Sequence, residues 1–556
     1  MKTIIIGGVA GGATAAARLR RLDESAEIVL LERGEFISFA NCGLPYYIGG
    51  VISERDALTL QTPESFRKRY RVDVRNFSEA IAIDRAKQVV SVRNLRTGET
   101  NEEGYDSVIL APGAAPILPD LIGRDLPHVF TLRTIPDTDR IKHYVETKKP
   151  RSAVVIGGGY IGVEMAENLH HAGLEVTIVE RADHVIASLD FDMAADVHRY
   201  LRGKGIALCL QNGVTAIEPS RVLLQHGEVA ADLVVLAVGV RPESALAKQA
   251  GLATNARGSI LVDRHMRTSD ARIFAVGDAV EVRNFLTQEP AFLPLAGPAN
   301  KQGRIAADNI AGIASTYDGT QGSAVLKIFD MTVATTGLSE SAAQAAGINY
   351  DKTYTYSASH ASYYPGGNPL SIKAIWEKDT LRLLGAQIVG FDGVDKRTDV
   401  LATAIRLGAK VTDLAELELC YAPPFGSAKD PVNMVGFVAE NVSTGKLKQF
   451  FWHDVENLPR DGSVTLVDTR TPAEVAVGKI DGFVNIPLDE LRDRLSELPK
   501  DRPIYVHCHS GFRSYLAHRI LVGAGFDSAS LAGGWRLYES VIHERTVPDF
   551  PCTQKG

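Results

Sequence analysis

Two of the five cysteines in this 556-residue chain stand where a thiol could do chemistry. Cys42 lies in Ser38-Phe39-Ala40-Asn41-Cys42-Gly43-Leu44-Pro45-Tyr46, where glycine, proline and aromatics after the thiol predict a tight turn rather than a helix interior. Cys508 follows the strand-like run Ile504-Tyr505-Val506-His507 and opens His509-Ser510-Gly511-Phe512-Arg513-Ser514, which leads into a helical stretch from Tyr515 to Leu521. A cysteine at a strand end that begins a short loop into a helix is surrounded by successive N–H groups and the helix N-terminus, an environment that favours an anionic sulfur. Arg513 adds a positive charge at the end of that loop. The remaining thiols carry no such context: Cys209 reads as core, Cys420 as structural and Cys552, in a polar tail, as incidental. An odd count, wide spacing and the lack of a Cys-x-x-Cys pair argue against a disulfide scaffold and against any metal site.

A thiol that exchanges electrons needs a carrier, and the chain provides two glycine loops that could hold one. Lys2-Thr3-Ile4-Ile5-Ile6 is followed by Gly7-Gly8-Val9-Ala10-Gly11-Gly12, by a helical stretch from Ala13 to Leu22, and by a second apolar run ending at Glu32-Arg33. This is a βαβ unit with its carboxylate about twenty residues after the glycines, as a dinucleotide site requires. Val9 stands where the general fingerprint has its second glycine. Ser152 to Ile156 leads into Gly157-Gly158-Gly159-Tyr160-Ile161-Gly162, a complete fingerprint, then a helix from Val163 to Ala172 and a strand ending at Glu180. A carboxylate there favours a free ribose 2′-hydroxyl, so NADH is expected over NADPH, with Arg181 keeping that preference moderate. Each unit is followed by a strand that stops at glycine, Ala111-Pro112-Gly113 after the first and Ala237-Val238-Gly239 after the second. A later strand, Ile273 to Val276, ends on Gly277-Asp278, where a carboxylate can meet a ribityl chain.

These three spaced motifs resemble the FAD-dependent pyridine nucleotide-disulfide oxidoreductases. The resemblance implies FAD on Gly7, Gly8, Val9, Ala10, Gly12, Glu32, Arg33, Pro112, Gly113, Gly277 and Asp278, and NAD(P)H on Gly157, Gly159, Tyr160, Ile161, Gly162, Glu180 and Gly239. The usual redox centre of that superfamily is a cysteine pair, whereas Ser38 to Tyr46 holds Cys42 alone. Its transient bond must therefore form with something outside its own segment: a small thiol, a persulfide sulfur, or oxygen as a sulfenic acid. The Cys42 stretch, and the glycine loop with valine in its middle, resemble the coenzyme A disulfide reductase group.

From about Ala324 to Gly445 the pattern changes, with a strand at Ala324 to Phe329 and a helix expected around Asp399 to Leu407. In the resembled family this is the dimerisation domain, whose groups enter the partner's active site. The clusters His360-Ala361-Ser362-Tyr363-Tyr364-Pro365-Gly366-Gly367 and Cys420-Tyr421-Ala422-Pro423-Pro424-Phe425-Gly426-Ser427-Ala428-Lys429 match it. The resemblance assigns to Tyr364 and Tyr421 the donation of a hydroxyl to a leaving thiolate. It also implies that Thr14, Arg18, Arg21, Ser38, Asn41, His360 and Lys429 line a coenzyme A path; spacing alone makes Thr14 and Arg18 neighbours on one helix face.

The loop Cys508 to Ser514 has the shape of a phosphatase cradle as well as of a sulfurtransferase one. Upstream, Asp468-Thr469-Arg470 and Gly482-Phe483-Val484-Asn485-Ile486-Pro487 resemble a rhodanese domain, with Lys479 where many relatives carry histidine. The expected fold class is α/β: two Rossmann-like domains, an α+β dimerisation domain and a C-terminal rhodanese-like α/β domain. The expected bounds are residues 1–148 with 257–322 for FAD, 149–256 for NAD(P)H, 323–445 for dimerisation, 446–462 for a linker and 463–556 for the rhodanese domain.

The formal charge of -7 is dispersed, which points away from nucleic acid and anionic membranes. With no signal-like start and no bilayer-length apolar run, a cytoplasmic protein is expected, and the resemblance implies a homodimer. The implied activity is NADH-dependent, flavin-mediated reduction of persulfides, polysulfides or coenzyme A disulfide through Cys42, with Cys508 accepting and delivering sulfane sulfur. Three alternatives stand beside it: a coenzyme A disulfide reductase for thiol homeostasis, an NADH oxidase or peroxidase using a Cys42 sulfenic acid, and a sulfur carrier acting through Cys508.

Overall fold

The computed structural model describes residues 1–547, so Cys552 lies outside the described residues. The chain forms two compact units, residues 1–181 with 206–322, and residues 182–205 with 323–547.

The first unit is built from two parallel five-stranded sheets. In one, the order is Ile273–Ala275, Ser107–Leu110, Lys2–Ile6, Glu27–Leu31, Asp73–Arg75. The central strand Lys2–Ile6 is buried from Thr3 onward because it is covered on both faces, which is why it reads as a near-continuous apolar run rather than an alternating one. The second sheet runs Ala207–Cys209, Glu175–Val179, Ser152–Ile156, Leu233–Leu236, Val129–Phe130. Its last strand comes from within residues 1–148, the stretch assigned by sequence to the first domain. In both sheets the glycine loop leaves the C-terminal end of the central strand, the place where the strand order changes direction and where open α/β sheets bind ligands. Cys209 is fully buried, at the edge of the second sheet.

The second unit contains an antiparallel sheet, Ala324–Ile328, Met331–Gly337, Leu383–Gly390, Pro369–Glu377, Tyr350–Ala358, and a parallel sheet, Gln449–Phe450, Ser528–Leu531, Ile504–His507, Thr465–Asp468, Val484–Asn485. Gln449–Phe450 falls within the stretch expected as a linker; its backbone completes the edge of the last sheet beside Ser528–Leu531. The helix expected around Asp399 begins earlier, at Val394–Arg406.

Residues 182–205, assigned by sequence to the nucleotide domain, belong to this unit. Two sets of charges hold them. Lys373, fully buried, reaches Asp190 at 3.0 Å, Asp192 at 2.9 Å and Glu340 at 2.7 Å; burial opposes its charge, but the three carboxylates outweigh that and hold its pKa above the ordinary lysine range. On the helix Phe191–Gly203, Arg199 pairs with Glu539 at 2.7 Å and Arg202 with Glu544 at 3.4 Å, both on Gly534–Thr546. Among the described residues no helix is long and apolar enough to cross a membrane.

Candidate functional site

Both glycine loops are shaped by close backbone approach. A Cβ on Gly12 would stand 1.9 Å from the Gly7 carbonyl oxygen, and one on Gly162 would stand 1.9 Å from that of Gly157. Glycine is therefore the residue that lets each helix start directly over its strand. Glu32 accepts N–H bonds from Gly8 at 2.9 Å and Gly34 at 2.8 Å, and Glu180 accepts one from Gly158 at 2.7 Å.

The helices Ala10–Leu22 and Tyr160–His171 begin at Val9 and Gly159 with no side chain capping them. The neighbouring helices Pro63–Tyr70 and Ile135–Lys148 are closed by Thr62 and Thr134. The two loop helices thus keep first-turn N–H groups and their dipole for an anion. Gly159 has open space where a side chain would begin, and a cavity of about 290 Å³ is lined by Gly7, Glu32, Arg33, Pro112 and Glu243 among others. These features fit a dinucleotide pyrophosphate at each loop. Arg33 in that cavity is ion-paired with Glu243 at 2.9 Å. Gly277 donates to Gln302 at 2.7 Å, and Asp278 pairs with Arg133 at 3.1 Å, whose guanidinium also stands against Gly113. Gly239 is held in the left-handed region at φ +107°, beyond the strand Leu233–Leu236.

The predicted turn at Cys42 is one turn of 3₁₀ helix, Asn41–Gly43, continuing into Leu44–Ile48 with Pro45 in its first turn, where a missing N–H costs nothing. Ser38 holds φ at 45°, and Cys42 is exposed. Protein atoms crowd its other sides; that burial and the Glu164 carboxylate push the thiol up, Arg133 pulls it down and Asp278 pushes it up again. On the first helix, Thr14 donates to Asn300 at 2.6 Å and Arg18 pairs with Asp308 at 2.7 Å, while Arg21 is exposed in the last turn. Arg18 therefore meets any phosphate with a carboxylate already at its side.

In the second unit, the buried pair Arg397–Asp430 at 2.9 Å, with Arg397 also donating to the Ser359 carbonyl, ties the two tyrosine clusters together. The hydroxyl that meets Tyr421 is that of Tyr363, at 2.8 Å, whereas Tyr364 packs edge-on against buried His360. Adjacent residues in a loop diverge in direction, so Tyr363 and Tyr364 take different partners. Lys429 is exposed.

Cys508 is 1 % exposed and accepts the Gly511 N–H on its sulfur at 3.1 Å. The loop is braced from beneath: Trp535 and Arg536 donate backbone N–H groups to the carbonyls of Cys508 and His509, each at 2.8 Å. A Cβ on Gly534 would stand 2.7 Å from the Cys508 oxygen. Arg513 is clamped by both oxygens of Glu474, at 2.6 and 2.8 Å, and those hydrogen bonds hold the Glu474 carboxyl down at about 2. The Asp468–Arg470 pair is buried at 2.7 Å, and Asn485 donates to both of their carbonyls. Buried His507 is pushed down to about 4 by burial, against the pull of Asp468. Sequence reasoning missed Glu474, Gly533 and Gly534, whose only signal is a carboxylate soon after Arg470 and a glycine pair after a buried strand.

Residues 1–303 match the pyridine nucleotide-disulphide oxidoreductase family, residues 323–431 its dimerisation domain and residues 452–540 the rhodanese-like domain. Over 441 residues, 79 % of this chain and all of the relative, it is 36 % identical to a coenzyme A disulfide reductase of Staphylococcus epidermidis. The crystal structure of a reduced Bacillus anthracis CoADR-RHD is 50 % identical with a TM-score of 0.96, covering 98 % of this chain and 99 % of that one. An NAD-dependent persulfide reductase from A. fulgidus is 38 % identical with a TM-score of 0.91, covering 97 % of this chain and all of that one.

Proposed function

Because the chain belongs to the pyridine nucleotide-disulphide oxidoreductases and carries a rhodanese-like domain, we propose that it uses NADH to reduce sulfane sulfur and coenzyme A disulfide through Cys42. The observation that carries this reading is the pairing of two unlike thiols: an exposed one on a segment whose Ser38 N–H bonds the Gly8 carbonyl of the first glycine loop and whose Tyr46 bonds Glu164 on the helix of the second, and a buried one that accepts the Gly511 N–H. The names of its relatives, a coenzyme A disulfide reductase and a persulfide reductase, support the choice of substrate.

FAD and NADH, held by the loops at Gly7 and Gly157, would supply the two electrons. Cys42 as thiolate attacks one sulfur of an S–S bond; that bond breaks, one fragment stays on Cys42 and the other leaves as thiolate or sulfide. Two electrons then break the new S–S bond, restore the Cys42 thiolate and release the second fragment, which takes up a proton. We assign the proton donation to the hydroxyls of Tyr364 and Tyr421, the latter hydrogen-bonded to Tyr363, and the coenzyme A path to Thr14, Arg18, Arg21, Ser38, Asn41, His360 and Lys429. The match to the dimerisation domain supports a homodimer. Cys508 as thiolate attacks the outer sulfur of a persulfide or polysulfide, whose S–S bond breaks to release the donor as a thiolate, and holds that sulfur as a persulfide; carrying both sites on one chain raises the effective concentration of each for the other.

The test is anaerobic NADH oxidation with coenzyme A persulfide, coenzyme A disulfide and hydrogen peroxide in separate reactions. Turnover with both sulfur substrates, and sulfide released from the persulfide, is expected; turnover with peroxide alone would replace this reading with that of a peroxidase.

A further inference from the structure

A cavity of about 430 Å³ lies within the second unit, and neither thiol nor any residue assigned to a nucleotide or to coenzyme A lines it. The cavity at the first glycine loop is about 290 Å³, whereas small-molecule sites run from about 300 Å³ upward. Part of the lining is apolar. Met331 and Val389 are buried residues of the antiparallel sheet, and the rings of Tyr200 and Phe391 meet edge-on at 5.3 Å between centroids. The charged lining is mostly spent within the protein. Arg199 pairs with Glu539 at 2.7 Å and Lys204 with Asp330 at 2.9 Å. Asp196 accepts the hydroxyl of buried Ser371 at 3.1 Å on one oxygen and that of buried Ser540 at 2.8 Å on the other. Arg536, at the start of Gly534–Thr546, differs. Its guanidinium stands over the Tyr356 ring at 4.5 Å and donates to the Ser371 hydroxyl at 3.3 Å, and among the described residues no carboxylate pairs with it.

We propose that this cavity binds a small organic anion, with a carboxylate or sulfonate end on Arg536 and an apolar body against Met331, Val389, Tyr200 and Phe391. A guanidinium presents its N–H donors as a flat fork that matches such an oxyanion, and a charge-assisted pair of this kind is stronger than a neutral one. The one protein acceptor that Arg536 meets is a serine hydroxyl, so most of that fork remains for a ligand. Asp196 does not oppose the anion as a free carboxylate would, because each of its oxygens already takes a hydroxyl proton from the wall. Arg199 and Lys204, each with its own carboxylate, frame the site without adding a second free cation. A single unspent cation beside apolar and aromatic walls selects a molecule with one charged end, rather than a bare inorganic ion or a neutral hydrocarbon.

The holoenzyme, with NAD+ and coenzyme A in excess to fill the sites assigned above, is titrated with anilinonaphthalene sulfonate, a sulfonate on an aromatic body that fluoresces when the body leaves water. Saturable binding of one dye per chain is expected, with a dissociation constant of about 10–100 μM. Arg536→Gln should weaken it at least about fivefold. Phe391→Asp should do the same by setting a carboxylate on the wall; Phe391 is 38 % exposed, so the change empties no buried position. Phenylnaphthylamine, which has the same rings without the sulfonate, should bind the native chain and Arg536→Gln alike. Flavin absorbance and the thermal unfolding midpoint report whether each variant is folded. Absence of saturable binding below about 1 mM, or native affinity for the sulfonate dye in folded Arg536→Gln, would overturn the proposal, as would equal weakening of both dyes in that variant. If Arg536→Gln is not folded, native affinity in Phe391→Asp overturns it instead.

Discussion

The two thiols solve opposite problems. Cys42 is exposed on a turn, and burial and a nearby carboxylate push it up. Cys508 is buried, takes an N–H on its sulfur and sits in a loop braced by two backbone hydrogen bonds and a close glycine approach from the start of the helix Gly534–Thr546. On the proposed function, the first serves a sulfur that comes and goes with a substrate and is reset by electrons, and the second carries sulfane sulfur without redox change. A protein joining the two can take sulfur in one chemical state and release it in another.

Replacing Cys508 by serine breaks the comparison most widely. Sulfur transfer from thiosulfate to cyanide should fall to background, while NADH-dependent reduction of coenzyme A disulfide stays within about twofold of native. Gly511→Ala acts on the cradle alone. Gly511 holds φ at 105°, where a Cβ costs about 1–2 kcal/mol, and movement of its N–H off the sulfur should lower sulfur transfer about tenfold with coenzyme A disulfide reduction unaffected.

The smallest effect is a difference in pH dependence between the two half-reactions. Glu474 is depressed to about 2 by Arg513, so the clamp is complete above the ordinary glutamate range and is lost only as pH falls toward 2. Sulfur transfer should carry no inflection from this group above about pH 4.5, whereas reduction through Cys42, whose thiol burial pushes up, should keep rising with pH above neutrality. Glu474→Gln, which turns an ion pair into a neutral contact, should cost sulfur transfer about two- to fivefold at neutral pH.

Much of this was legible in the sequence because strand ends, glycine spacing and loop length are local. Gly12 and Gly162 are forced by the backbone of the strand they follow, so their positions name the site. The lone Cys42 and the loop after Cys508 were legible for the same reason. What spacing does not contain is the set of partners brought in from elsewhere in the chain. Glu164 meets Tyr46 across 118 residues, and Glu474 meets Arg513 across 39. That Tyr363 bonds Tyr421 while Tyr364 packs on His360 depends on the direction of single loop residues. The placement of residues 182–205 in the second unit depends on Lys373, a buried cation that no periodicity distinguishes from its neighbours.

The most direct test of the division of labour is the yield of sulfide per NADH with coenzyme A persulfide, under argon, for the native chain and for Cys42→Ser with its flavin intact. The native chain should release one sulfide for each NADH consumed, about 1:1 by the electron balance of S–S reduction, and Cys42→Ser should release none while still transferring sulfur from thiosulfate to cyanide through Cys508. Sulfide release at the native rate by Cys42→Ser would contradict the account.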